Sequence, residues 1–183
     1  MSPPGRPKGE YRRAQPEGIP ASASPRARAL GTAALCAMVV AVLGMLSTDL
    51  GTWYAGLRRP AWQPADQWFG PAWTLIFALC ALSAAEAWRA QPALKARQWL
   101  LVAWSANACL NVLWSLLFFR LRRPDWALAQ VVLLWLSVLI LIVLSARASR
   151  RSAWLLVPYL AWVSFAAALN RAVVELNGPF GGG

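Results

Sequence analysis

The sequence predicts an all-α membrane protein: a bundle of five transmembrane helices, with an ordered first loop acting as a lid over one end. Three observations carry this. Hydrophobic residues make up 58% of the 183-residue chain, above the roughly 45–50% of soluble domains. The apolar residues fall into five runs near the about 20 residues that cross a bilayer. Only 14% of residues are charged, and they flank the runs. In lipid every backbone polar group must be paired within its own segment, which a helix achieves and an isolated strand does not.

Residues 1–29 stand apart. They carry Pro3, Pro4, Pro7, Pro16, Pro20 and Pro25 with Arg6, Lys8, Arg12, Arg13, Arg26 and Arg28, and almost no large hydrophobe. This reads as a disordered basic tail near an anionic membrane surface. A signal peptide fits less well, because the run that follows is too long for an h-region and lacks a small-x-small cleavage site. The membrane domain is read as residues 30–177, with a short flexible tail over 178–183.

The five runs are approximately Leu30–Ser47, Pro71–Trp88, Trp99–Phe119, Trp126–Leu144 and Ala153–Leu176. Short connections from the second run onward make successive helices antiparallel neighbours. The one long connection, Thr48 to Pro71, holds Trp53, Tyr54, Trp62, Trp68 and Phe69. So aromatic a loop is unlike a solvated linker, and it is expected to fold over one end of the bundle. In the second run Pro71 suits a first helical turn, and Trp73, Phe77, Cys80 or Ala81, Ala84 and Trp88 share one side.

The third run places Trp104, Asn107, Asn111, Trp114 and Phe118 on one face. Polar groups in a span point inward and find partners. The two amides are therefore either helix–helix glue or the polar part of a cavity wall, and periodicity leaves both open. In the fourth run Asp125, after Pro124, is placed to cap the helix. The fifth run puts Tyr159, Trp162, Ala166 and Asn170 on one face, and Pro158 inside it should kink the helix. Trp88, Trp99, Trp126 and Trp154 sit at run ends, where indoles favour the interface.

Composition excludes several classes of function. There is no histidine, which removes His-based acid–base catalysis, a Ser-His-Asp triad and most zinc sites. Cys36, Cys80 and Cys109 lie inside apolar runs without metal-ligand spacing, so no metal site is expected. The net charge of +11 does not form one patch, which argues against a nucleic-acid partner. No acid lies at mid-depth, as a coupled transporter would need. Arg12, Arg13, Arg26, Arg28, Arg89, Lys95, Arg97, Arg147, Arg150 and Arg151 fall on one side of the bundle. Arg58, Arg59, Arg120, Arg122 and Arg123 fall on the other. The excess predicts a cytoplasmic N-terminus, in a bacterial inner membrane.

Several ordered motifs resemble one family. Trp53-Tyr54-x-x-Leu57-x-Arg59-Pro60-x-Trp62-x-Pro64, followed by Phe69-Gly70-x-x-Trp73-Thr74, is similar to the first-loop signature of the TspO/MBR family of tryptophan-rich sensory and translocator proteins. Leu110-Asn111-x-x-Trp114 with Phe118-Phe119, and Trp126-Ala127-Leu128-Ala129, resemble its third- and fourth-helix motifs. Pro158-Tyr159-Leu160-Ala161-Trp162-x-x-Phe165-Ala166-x-x-Leu169-Asn170 resembles its most diagnostic run. The resemblance covers about residues 32–177. It departs at Asn107, Phe77, Gln130 and Arg59, where the family has Gln, Tyr, an acid and Lys. Arg171 and Glu175 stand where the sterol-recognition pattern of animal members has Tyr and Arg.

The resemblance implies a five-helix bundle, often a homodimer, with a pocket under the first loop. Family members bind porphyrins, and some bind sterols and benzodiazepine-type drugs. Carried over by position, the ligand residues would be Trp73, Asn107, Asn111, Trp114, Tyr159, Trp162 and Ala167, with Trp53, Tyr54 and Arg59 from the loop. The expectation is a protein that binds a protoporphyrin-like ligand for sensing, transport or stress-linked regulation, with no obligatory cofactor. One alternative is light-dependent porphyrin breakdown, with Trp73 and Trp162 as the oxidisable residues. The other is a lipid or sterol carrier.

Overall fold

The computed structural model describes residues 24–180. Most of the expected basic tail, and residues 181–183, lie outside the described residues.

Helix α1 (Pro25–Ser47) begins five residues before the apolar run. The Ser24 hydroxyl accepts from the Ala27 amide at 3.2 Å and Pro25 takes the first helical position, where its missing N–H costs nothing. Arg26 and Arg28, assigned to the tail by composition, are therefore helical. The long connection follows, with a one-turn helix α2 (Thr52–Ala55). A 3₁₀ turn over Asp66–Trp68 leads into α3 (Phe69–Ala90). Helix α4 (Leu94–Ser115) continues into a π turn over Leu116–Arg120. Arg122, in the connection that follows, has a φ of 54°, in the left-handed region.

Helix α5 (Pro124–Ala148) starts at the proline. Asp125 is inside the first turn, not at the cap, and pairs with the Arg123 guanidinium, which also lies 4.2 Å from the Trp126 ring centroid. The expected fifth run is two helices, α6 (Arg150–Trp154) and α7 (Val157–Asn177). Pro158 falls in the first turn of α7, so the chain breaks at Leu155–Leu156 instead of kinking.

Five of these stretches are long and apolar enough to cross a membrane: α1, the 3₁₀ turn with α3, α4 with its π turn, α5, and α6 with α7. The core sits on α5. Val131, Leu134, Val138 and Leu141 pack with Ile76 and Cys80 of α3 and Tyr159 and Val163 of α7. Polar pairs lock the crossings. The Ser83 hydroxyl donates to the Ser152 carbonyl, and the Ser152 hydroxyl to the Ser83 carbonyl, both at 2.9 Å. Asn170, fully buried, donates to the Pro124 carbonyl and accepts from the Leu128 amide in the orientation that satisfies both.

Helix α1 is different. It packs chiefly on α3, less on α4, and Ser47 is its only buried residue. Leu35, Met38, Met45 and Leu46 stay exposed, as do Trp99, Trp126 and Trp154 at helix ends. In a bilayer these surfaces face lipid.

Candidate functional site

Two cavities lie between the helices. The first, about 660 Å³, is under the long loop and is bounded by α1, α3, α4 and α7. Small residues on α1 (Ala34, Ala37, Ala41, Gly44) leave the space, and aromatic residues line the opposite walls. Trp73 and Trp162 meet edge to face, their centroids 6.2 Å apart at 79°. Trp162 also meets Phe69 at 5.7 Å, and Trp73 stacks on Phe77 at 5.4 Å. Across from them Trp114 stacks on Phe118 at 5.2 Å. The π turn sets that second wall. Its extra residue per turn re-aims Phe118 and Phe119 toward the loop, where Phe118 meets Trp53 at 6.3 Å and Phe119 meets Tyr54 at 5.5 Å.

The loop is tied to the bundle at Arg58. Asn177, the last residue of α7, accepts from the Arg58 amide at 2.7 Å and donates to its carbonyl at 2.8 Å. Inside the arch the Asp66 carboxylate collects three donors: Arg59 at 2.8 Å, the Tyr54 hydroxyl at 3.1 Å and the Gln63 amide at 3.1 Å. The Arg59 guanidinium also lies 4.4 Å from the Tyr54 ring centroid. Burial raises the Tyr54 phenol above its ordinary value of 10.0, and the charge of Asp66 raises it further. Tyr54 therefore remains a donor at neutral pH. Trp62 reaches from the loop to Phe165 of α7, 5.9 Å away.

Below this cavity a chain of hydrogen bonds crosses the bundle. Asn111 donates to the Tyr159 hydroxyl at 3.2 Å. Tyr159 donates to the Asn107 oxygen at 3.2 Å. Asn107 donates to the Ser137 hydroxyl at 2.8 Å, which donates to the Leu134 carbonyl at 2.7 Å. The two amides left open as glue or cavity wall are thus both: they tie α4 to α7 and α5, and they also border the cavities. The Asn111 oxygen has no partner among the described residues.

Trp73, Asn111, Trp114, Trp162, Tyr54 and Arg59 line the cavity under the loop. Asn107 and Tyr159 border the second cavity, about 960 Å³, toward the other end of the bundle. Trp53 does not line the first cavity; it packs behind Phe118 and supports the wall. Ala167 is turned into the α5–α7 core, and its neighbour Ala166 takes the cavity position. One residue on a helix is about 100° of rotation, enough to exchange the two. Sequence reasoning missed Asp66, Gln63 and Asn177. An acid seven residues beyond Arg59 in an aromatic loop was a signal for Asp66. Nothing local marked Asn177, whose partner is 119 residues away.

Among the described residues no cluster of groups suited to a metal ion occurs. The family model described as the TspO/MBR family matches residues 32–175. The "Tryptophan-rich protein TspO" of Chlorobaculum tepidum is 32% identical over 155 residues, 80% of this chain and 96% of that protein. The protein of the same name from Archaeoglobus fulgidus is 36% identical over 150 residues, 78% of this chain and 96% of its own. The human "Translocator protein" is 30% identical over 132 residues, 72% and 78% of the two chains.

Proposed function

Because the chain belongs to the TspO/MBR family and is an integral multi-pass membrane protein, we propose that it binds a porphyrin in the cavity under the loop. The observation that carries this reading is the Trp73–Trp162 corner opening on about 660 Å³ of mostly apolar space. That volume lies within the about 300–1,000 Å³ of small-molecule sites. A tetrapyrrole is a large flat π-system, and indole faces offer it offset or edge contacts. The unspent Asn111 oxygen supplies an acceptor for a pyrrole N–H. With no histidine in the chain, the commonest axial ligand for iron is missing, so metal-free porphyrin is the favoured form.

The loop serves this reading as a lid. Arg59 faces the cavity but is held by Asp66, so a propionate must compete with that carboxylate. Arg58, exposed and with no guanidinium partner among the described residues, is the readier cation of the loop. The basic residues of α1, the α3–α4 connection and α6 gather at the other end of the bundle, which we read as cytoplasmic, in an inner membrane. We read the protein as a homodimer with Cys109 of α4 at its interface, since Cys109 is exposed on a face of small residues. With the other exposed thiol removed by Cys36→Ala, oxidation in membranes is expected to cross-link the chain through Cys109 and to leave the Cys109→Ala variant of it monomeric on a gel; equal cross-linking of the two removes that interface.

Titration with protoporphyrin in lipid nanodiscs, in the dark, tests the porphyrin site. Saturable one-site binding is expected, weakened about two- to tenfold in Trp162→Phe, the worth of one aromatic contact. Uptake equal to empty nanodiscs would refute it.

A further inference from the structure

The second cavity meets the one under the loop at Ala37, Phe77, Ala81 and Asn111 and runs away from it. It lies between α1, α3 and α4, opens at the end of the bundle that carries the α1 N-terminus, and is bordered at mid-span by Asn107, Asn111 and Tyr159. Its volume is about 960 Å³. Its walls are small or apolar, including Ala33, Ala84, Ala108, Leu100 and Trp104. Its mouth is basic, because three helices each bring one arginine: Arg28 from α1, Arg89 from α3 and Arg97 from α4. The one acid there, Glu86, is already paired with Arg89 at 3.3 Å. Arg97 is positioned by its bond to the Gln91 carbonyl, 2.7 Å, and by the Trp88 ring, 5.2 Å away. The Arg28 guanidinium has no partner among the described residues.

We propose that this cavity binds one anionic glycerophospholipid, its phosphate between Arg28 and Arg97 and one acyl chain along the α1–α4 wall toward mid-span. Charge complementarity selects the head group: among the described residues two arginines there have no carboxylate partner, and the third has one. The dimensions suit the tail. From Arg97 to Asn111 is 14 residues of α4, about 21 Å at 1.5 Å per residue, the reach of an extended acyl chain. The bilayer supplies the ligand from the side. Helix α1 has a single buried residue and contributes nothing to the α5-centred core, so a lipid enters beside it without opening that core. A free anion would satisfy the arginines but leave the apolar length empty, which is why the ligand is a whole lipid. The inference does not rest on the porphyrin reading, since the arginines that would hold the phosphate line this cavity and not the one under the loop.

Native mass spectrometry of the full chain, equilibrated with equal phosphatidylglycerol and phosphatidylcholine in mixed micelles, tests this. One phosphatidylglycerol is expected to be retained in preference to phosphatidylcholine. Arg28→Gln should lower that preference about fivefold, the contribution of one arginine near an anionic surface. Ala84→Leu, which narrows the cavity along the acyl chain's path, should weaken retention of that lipid while the unfolding temperature in phosphatidylcholine alone is unchanged. If Ala84→Leu fails to fold, Arg28→Gln decides alone, because the Arg28 side chain is exposed and its loss opens no cavity. Equal retention of the two lipids, indifference to Arg28→Gln, or displacement by soluble glycerol 3-phosphate at equal concentration would overturn the proposal.

Discussion

Tyr159 is the residue on which the interior polar chain turns, accepting from Asn111 and donating to Asn107. Tyr159→Phe keeps the ring and removes both bonds. The expected cost is about 1 kcal/mol, since interhelical bonds in membranes average about 0.6 kcal/mol, read as a lower unfolding temperature in detergent. Tyr54 makes a different prediction. Its folded pKa lies above the unfolded value, so its contribution is present below pH 10.0 and is lost as pH rises through the folded value. The tyrosinate absorbance of wild type minus that of Tyr54→Phe should titrate with a midpoint above 10. A midpoint below 10 would mean that the loop is not closed over Tyr54. At this scale the sequence was legible where a residue type conflicts with its surroundings. Amides in an apolar run must point inward and find a partner. Ser137 was illegible because serine is ordinary in such runs, and Ala166 and Ala167 differ only in which way one turn of helix faces.

Among the elements, the spans were legible because their signal is area, not detail: a run of about 20 apolar residues has one stable form in lipid. Their ends and irregularities were less so. The start of α1 is set by Ser24 and Pro25, inside a segment whose composition is that of a tail. The π turn over Leu116–Arg120 has no composition of its own, yet it determines what Phe118 and Phe119 touch. The loop was legible as ordered from its aromatics, but its anchor was not, because Asn177 is a neighbour of Arg58 only after five spans have packed. Asn177→Ala removes two bonds to one backbone unit and so frees the arch. Amide exchange in residues 57–63 should rise about fivefold, for about 1 kcal/mol of lost bonding, with the helices unaffected. Unchanged exchange would show that Trp62 and Asp66 hold the loop without it.

Over the whole molecule, stability and room for ligands are divided between different helices. The core on α5 is sealed by apolar packing and by paired polar groups such as Ser83 with Ser152. Replacing Ser83 by Val removes the bond from its hydroxyl to the buried Ser152 carbonyl, while the Ser152 hydroxyl keeps the Ser83 carbonyl, at an expected cost of about 1–3 kcal/mol. The α3–α6 contact should then be the first to melt, measurable as earlier exchange in residues 150–154; global loss without that order would contradict this division. Helix α1 takes the other share: it walls both cavities and buries almost nothing of its own. Order of synthesis gives that feature a further consequence. This span finds its chief partner in α3, the next long helix made, so the two can pair before α4 and α7 exist to close the space beside them. One wall of each chamber is therefore standing before the rest of its enclosure has been synthesised.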